Sequence, residues 1–157
     1  MKIILLLVGK TESVWLKKGV ELYEERLKHY IGYQRIEIPE LKSVSNLTQQ
    51  QIREREGEAI LKFVKLNDEL ILMDERGEEF SSETFALHIE KKSIYGTKNV
   101  VFVIGGAYGF SEELYKRANE KLSLSKMTFS HQMVRLIFLE QLYRAYTIIK
   151  GEPYHHK

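Results

Sequence analysis

Cysteine is absent from the 157 residues, which removes disulfides, thiolate metal sites and cysteine nucleophiles, and is compatible with a reducing compartment. Long apolar runs are missing too. The run near the start, Ile3 to Val8, is too short for a membrane span or a secretory-signal core, and no small-residue cleavage site follows it. The expectation is a soluble, cytoplasmic protein with no membrane partner. An excess of one charge is also lacking: 24 basic against 22 acidic side chains leave a formal +2, so nonspecific nucleic-acid binding by counterion release would be weak. An RNA partner would need a local basic surface, shape recognition, or a composite site built by more than one chain. Prolines number two, and there is no repeat, low-complexity stretch or linker. One domain spanning residues 1–157 is expected, large enough to bury roughly 70% of its unfolded surface.

The pattern along the chain alternates strands and helices. Lys2–Val8 reads as a buried strand, and Leu16, Val20, Tyr23, Leu27 and Tyr30 trace one face of an amphipathic helix. Tyr33–Leu41 reads as extended and Lys42–Leu47 as a polar loop. Thr48 and Gln51 form a capping-box pattern for a largely solvent-facing helix that runs to Lys62. Glu69–Met73 is a short strand expected to end in a turn, Asp74-Glu75-Arg76-Gly77, with Gly77 at positive φ. Ser81 and Ser82 cap the next helix. Asn99–Ile104, apolar after its first residue, suits the centre of a parallel sheet covered on both faces. The class is α/β.

The last helix, about Gln132–Ile149, is apolar all round apart from Arg135, Glu140, Arg144 and a few neutral polar side chains. Such a helix is buried on all sides. A dimer partner would cover the face a small domain leaves bare; a central helix in a monomer is the alternative. The segment beyond it, Pro153-Tyr154-His155-His156-Lys157, is expected to dock.

Gly9-Lys10-Thr11 after the first strand imitates a phosphate-binding loop, but Ile4 stands where that loop needs its first glycine, so a tight turn is the better reading. No G-x-G-x-x-G follows the first strand, which removes the usual dinucleotide fingerprint. Gly105-Gly106-Ala107-Tyr108-Gly109 joins the strongest strand to a helix start at Ser111-Glu112-Glu113. It suits either a plain turn or close approach of a ligand such as a nucleoside to the backbone. Glu140 and Arg144, four apart, share a helix face and suit a structural ion pair. Their nearness to the tail adds a second reading, in which Arg144, Tyr154 and His155 offer a cation, a phenol and an imidazole. Adjacent histidines on an extended segment point to opposite sides and lack a third ligand at metal spacing, so no metal is expected. His131 is expected to help begin the helix.

Three ordered stretches carry a resemblance: LMDERGEEFSSETFA from Leu72, VFVIGGAYGFS from Val101, and SLSKMTFSHQMVRLIFLEQLYRAYTIIKGEPYHHK from Ser123. In them the chain resembles the ribosomal large subunit methyltransferase H family, SPOUT-class enzymes that methylate N3 of pseudouridine1915 in 23S ribosomal RNA. The resemblance implies a SPOUT-type α/β knot, with the C-terminal segment threaded deeply through a loop, a mostly parallel sheet, and a homodimer packed through the terminal helix. It implies S-adenosylmethionine as methyl donor and no metal, with Leu72, Gly105, Leu124, Ser125, Lys126, Met127, Thr128 and Phe129 lining the cofactor pocket. It also implies the assembled 70S ribosome as partner, and catalytic roles for Arg144, for Tyr154 (orienting or stacking on the base) and for His155 (proton acceptor). A SPOUT enzyme acting on transfer RNA, and a ribosome-binding dimer without catalysis, are the rival readings.

Overall fold

The computed structural model describes residues 1–156. Five strands, β1 (Lys2–Val8), β2 (Gly32–Ile38), β3 (Glu69–Glu79), β4 (Asn99–Ile104) and β5 (Glu120–Ser123), form a sheet of order β2-β1-β4-β3-β5. Every pairing is parallel. Helices α1 (Val14–Leu27), α3 (Ser82–Ile94) and α5 (Met133–Ile149) cover one face, and α2 (Gln49–Leu61) and α4 (Glu112–Arg117) the other.

The period-2 alternation of strands sorts the core. Ile3, Leu5 and Leu7 of β1, with Val100 and Phe102 of β4, pack under α1, α3 and α5; Leu6 and Val8, with Val101 and Val103, pack under α2 and α4. Both faces of β1 and β4 are therefore apolar, and this is why those two strands read so clearly in the sequence.

The caps act as their residues indicate. Thr48 accepts from the Gln51 backbone while Gln51 reaches back to the Thr48 N–H, and Ser81 and Thr84 repeat the device at α3. Ser82 is already inside α3, donating to Gln141 at 2.8 Å. Along α2 only Ile52, Gly57 and Ile60 are buried, in keeping with its solvent-facing composition. A single 3-10 turn, Val44–Asn46, interrupts the expected polar loop.

One expected turn is absent. β3 continues past Met73 to Glu79, re-pairing with β5 after a bulge: Met73 and Glu78 both face Leu122. Gly77 is not among the positive-φ residues. It is needed for contact instead, since a Cβ there would lie 2.6 Å from the Leu122 nitrogen. The bulge thrusts Asp74, Glu75 and Arg76 out of the ladder.

α5 lies between α1 and α3. Gly19 of α1 permits the close approach, because a Cβ there would meet the Leu136 side chain at 3.0 Å. Seven α5 residues are buried and the other ten half-buried, with α1 and α3 covering its two flanks. The bare apolar surface sits next door on α1, at Val14, Trp15 and Leu22. Arg135, fully buried, donates to the Val8 carbonyl at 2.8 Å and to Thr11 Oγ1 at 3.0 Å. The turn at Gly9, with φ of +80°, is thus an anchor for α5.

Candidate active site

A cavity of about 740 Å³ opens at the carboxyl ends of β3, β4 and β5, the end where open parallel sheets bind ligands. Three segments wall it: the β3 bulge at 74–76, the glycine turn at 105–110, and the loop from β5 into α5 at 122–131. Its volume suits a nucleoside-sized ligand.

The glycine turn owes its shape to contacts behind it. A Cβ on Gly105 would lie 2.8 Å from the Phe110 ring, and one on Gly106 the same distance from the Glu56 carboxylate. Gly109 holds a φ of +80°. Burial raises the Glu56 carboxyl above its ordinary range, Glu40 adds to the rise, and the Gly106 backbone N–H opposes it.

The β5–α5 loop folds on local hydrogen bonds. Ser123 Oγ donates to the Ser125 carbonyl at 2.8 Å, and the Met127 N–H donates to Ser125 Oγ at 3.0 Å. Thr128 Oγ1 donates to Glu75 at 3.1 Å, joining this loop to the bulge. Met127 and Phe129 remain exposed although both line the cavity. Gln132 ties the loop's far end to the β1 turn, accepting from the Glu12 N–H and donating to the Lys10 carbonyl, each at 3.0 Å. At the start of α5, Ser130 rather than His131 does the capping: its Oγ accepts from the Met133 N–H at 3.2 Å. His131 lines the cavity.

Of the residues expected around the cofactor, Gly105, Leu124, Ser125, Met127, Thr128 and Phe129 face this cavity. Two lie elsewhere. Leu72 is fully buried among the side chains beneath α2 and α4, where Met73, its neighbour, takes the lining position. Lys126 is exposed and outside the lining. Sequence reasoning missed Asp74, Glu75 and Arg76, because they were assigned to a turn. Tyr115 was missed as well; it donates to Asp74, and burial followed by that bond pushes its phenol up to about 12.

Arg144, Tyr154 and His155 come together, but not in the cavity. Arg144 Nη2 donates to Glu140 Oε1 at 2.5 Å and Tyr154 Oη donates to the same oxygen at 2.9 Å. The guanidinium lies over the Tyr154 ring, 4.8 Å from its centre. His155 Nδ1 is 3.2 Å from Arg144 Nη1, and its Nε2 is 3.1 Å from Glu83 Oε1. An arginine only donates, so Nδ1 accepts and Nε2 carries the proton toward Glu83. Burial first, then hydrogen bonds with Tyr23 and Glu140, raises the Tyr154 phenol well above its ordinary range, so it is a donor at neutral pH. The bond to Glu140 likewise raises Arg144. Glu152, accepting from Tyr30 at 2.5 Å, completes the docking of the tail.

Arg144 lies ten residues along α5 from Val134, the last helical residue on the cavity wall, which is about 15 Å of helix. Within one chain the two groups therefore occupy opposite ends of α5.

The family model described as "Predicted SPOUT methyltransferase" matches residues 1–155. The Ribosomal RNA large subunit methyltransferase H of Christiangramia forsetii is 54% identical over 157 residues, with both chains covered completely; that of Parabacteroides distasonis is 53% identical over the same span. The chain belongs to this family. The solved structure of a probable methylase family protein from Haemophilus influenzae Rd KW20 superposes with a TM-score of 0.54 at 14% identity, covering 99% of this chain and 70% of that one, a likeness of fold. Membership of this family agrees with the parallel α/β architecture. No helix is long and apolar enough to cross a membrane among the described residues.

Proposed function

We propose that this chain is an S-adenosylmethionine-dependent methyltransferase that methylates N3 of a pseudouridine in 23S ribosomal RNA on the assembled ribosome. It acts in the cytoplasm as a homodimer with a knotted C-terminal segment. The observation that carries this reading is the division between a backbone-walled cavity at one end of α5 and an Arg–Tyr–His cluster at the other. A two-fold pairing that sets the α5 helices antiparallel would bring the tail of one protomer to the cavity of its partner. The exposed Val14, Trp15 and Leu22, on the helix beside α5, supply apolar surface for such a pairing. The tie from Gln132 to the β1 turn suits a segment held inside its surrounding loops.

The cavity fits the donor. Its glycine turn exposes backbone groups, Phe110 closes it from behind, and exposed Met127 and Phe129 offer apolar contact for an adenine ring. When bound, S-adenosylmethionine supplies an activated methyl group on a sulfonium that departs as a neutral thioether. The protein must then deal with the N3 proton. Arg144, moving its Nη1–H from His155 to a carbonyl oxygen of the base, would stabilise the charge that develops there and release the Nδ1 lone pair to accept the proton. Tyr154 stays neutral and holds the geometry through Glu140. Glu83 keeps the imidazole in the Nε2–H tautomer.

The reading is tested by methyl transfer from labelled S-adenosylmethionine to 70S ribosomes, separate subunits and bulk transfer RNA from cells lacking the gene, with the product nucleoside identified by mass spectrometry. Label as 3-methylpseudouridine in 23S RNA is expected. Label only in transfer RNA would replace the substrate, and cofactor binding without transfer would make the chain a noncatalytic dimer.

A further inference from the structure

The end of the sheet opposite the cavity has a different character. Leu66, Tyr95 and Ile94 are 91%, 81% and 71% exposed, and Phe63 is exposed beside them in sequence. Single exposed apolar residues need no explanation, but these occupy the last residue of α3 and two loops that the fold binds together. Residues 62–68 lead into β3 and residues 95–98 lead into β4, and the two strands are neighbours. Asn99 Nδ2 donates to Asp68 at 2.9 Å, Thr97 Oγ1 donates to Glu69 at 3.2 Å, and Arg117 Nη2 donates to the carbonyls of Lys65 at 2.8 Å and Asp68 at 2.9 Å.

Charge follows the same division. Three acids at this pole are consumed internally, Asp68 by Asn99 and the Lys65 N–H, Glu69 by Lys92 and Thr97, and Glu120 by His88 and Lys92, while the exposed Glu58 lies one turn before Lys62 on α2. Lys62, Lys65 and Lys98 are exposed and enter no ion pair among the described residues. At the cavity, by contrast, Asp74 and Glu75 oppose the single lining cation Arg76, and Glu56 stands behind the glycine turn. A chain with a formal charge of only +2 thus keeps a basic, aromatic-bearing pole away from its own cavity.

We infer that this pole is a second RNA-docking surface: Lys62, Lys65 and Lys98 contact phosphates while the Tyr95 ring stacks on an unpaired base. Lysines over a polyanion and an exposed ring offered to a splayed base are the two components that single-stranded RNA segments recognise. The six residues of β4 separate the pole from the cavity by about 20 Å, so the surface reaches RNA well beyond the reacting nucleotide. This inference rests on the ribosomal-RNA reading above and deepens it. It locates affinity that a domain of nearly neutral formal charge must draw from a local surface.

The test compares two charge-matched variants of the full-length protein, Lys62→Glu with Lys98→Glu, and Lys42→Glu with Arg55→Glu on exposed positions elsewhere. Tyr95→Ala is a third variant. Cosedimentation with 70S ribosomes and separate subunits across a salt series is the readout. The pole pair should bind about tenfold or more weakly than wild type, with a shallower salt dependence, and Tyr95→Ala several-fold more weakly at unchanged salt slope. The control pair should bind as wild type, and cofactor affinity should be the same throughout. Equal binding by the pole and control pairs overturns the docking surface and leaves the methyltransferase reading standing. Loss of the dimer in the pole variant would assign the patch to a second copy of the chain and likewise overturn it. Failure of wild type to methylate ribosomal RNA would remove the substrate reading separately, since binding is measured without turnover.

Discussion

The two ends of α5 solve different problems with different materials. Its N-terminal end faces a cavity walled by three loops whose turns are shaped by local side-chain-to-backbone bonds such as Ser123–Ser125 and Met127–Ser125, with Phe110, Met127 and Phe129 in the lining. Its C-terminal end carries a lattice of side-chain bonds, in which Glu140 holds both Arg144 and Tyr154 and Glu83 holds His155. Backbone groups suit a ligand that must be held in one shape. Mobile charged side chains suit a proton and a charge that move during a reaction. If each end does only its own work, substitutions should separate cofactor binding from turnover.

The largest expected effect lies at the tail. Arg144→Ala should lower methyl transfer by about 10²–10³-fold, the usual loss for one electrostatic stabiliser, while titration calorimetry finds cofactor affinity within twofold of wild type. A parallel loss of affinity would erase the distinction between the two ends. Next comes the anchor beneath the cavity. Arg135→Leu removes the buried guanidinium and strands the Val8 carbonyl and Thr11 hydroxyl it serves, and should destabilise the fold by about 3 kcal/mol in denaturant titrations. A change under about 1 kcal/mol would mean that water replaces those bonds. Gly105→Val should weaken cofactor binding by about ten- to a hundredfold. Its Cβ meets the Phe110 ring before any ligand, so a Phe110→Ala second change that restored affinity would place the damage in the turn itself.

The smallest effect sets an acid limit common to both ends. Burial alone would raise the Glu120 carboxyl, but hydrogen bonds from His88 and Lys92 outweigh it and bring it down to about 2. The unfolded chain protonates this group first, near 4.5, so its contribution is complete above that pH and is lost as the pH falls toward 2. Glu120→Gln should lower stability at pH 7 and flatten its fall across that window; an unchanged slope would show that other carboxylates dominate acid unfolding.

Much of this arrangement was legible in the residues. Asn99–Ile104 and Lys2–Val8 announced the central strands because both their faces are buried, and Thr48, Ser81 and Ser111 marked helix starts because capping is local chemistry. What escaped depended on distant partners. Gly77 looked like a turn glycine, yet its role is set by β5, more than forty residues away. Arg135 resembled any helical arginine until Val8 and Thr11 closed around it. The separation of Arg144 from the cavity was invisible for the same reason: adjacency in sequence to the tail says nothing of which cavity the tail serves.

The composite site is tested most directly by mixing. A Gly105→Val chain and an Arg144→Ala chain, each strongly impaired as its own dimer, are unfolded, mixed in equal amounts and refolded. Methyl transfer to 70S ribosomes is then measured at a cofactor concentration that saturates the wild type but not the Gly105→Val site. If tail and cavity come from different protomers, half the dimers are mixed and each holds one intact site, so about one quarter of wild-type activity returns. No recovery, with mixed dimers demonstrated by mass, would place each site within a single chain and contradict the account.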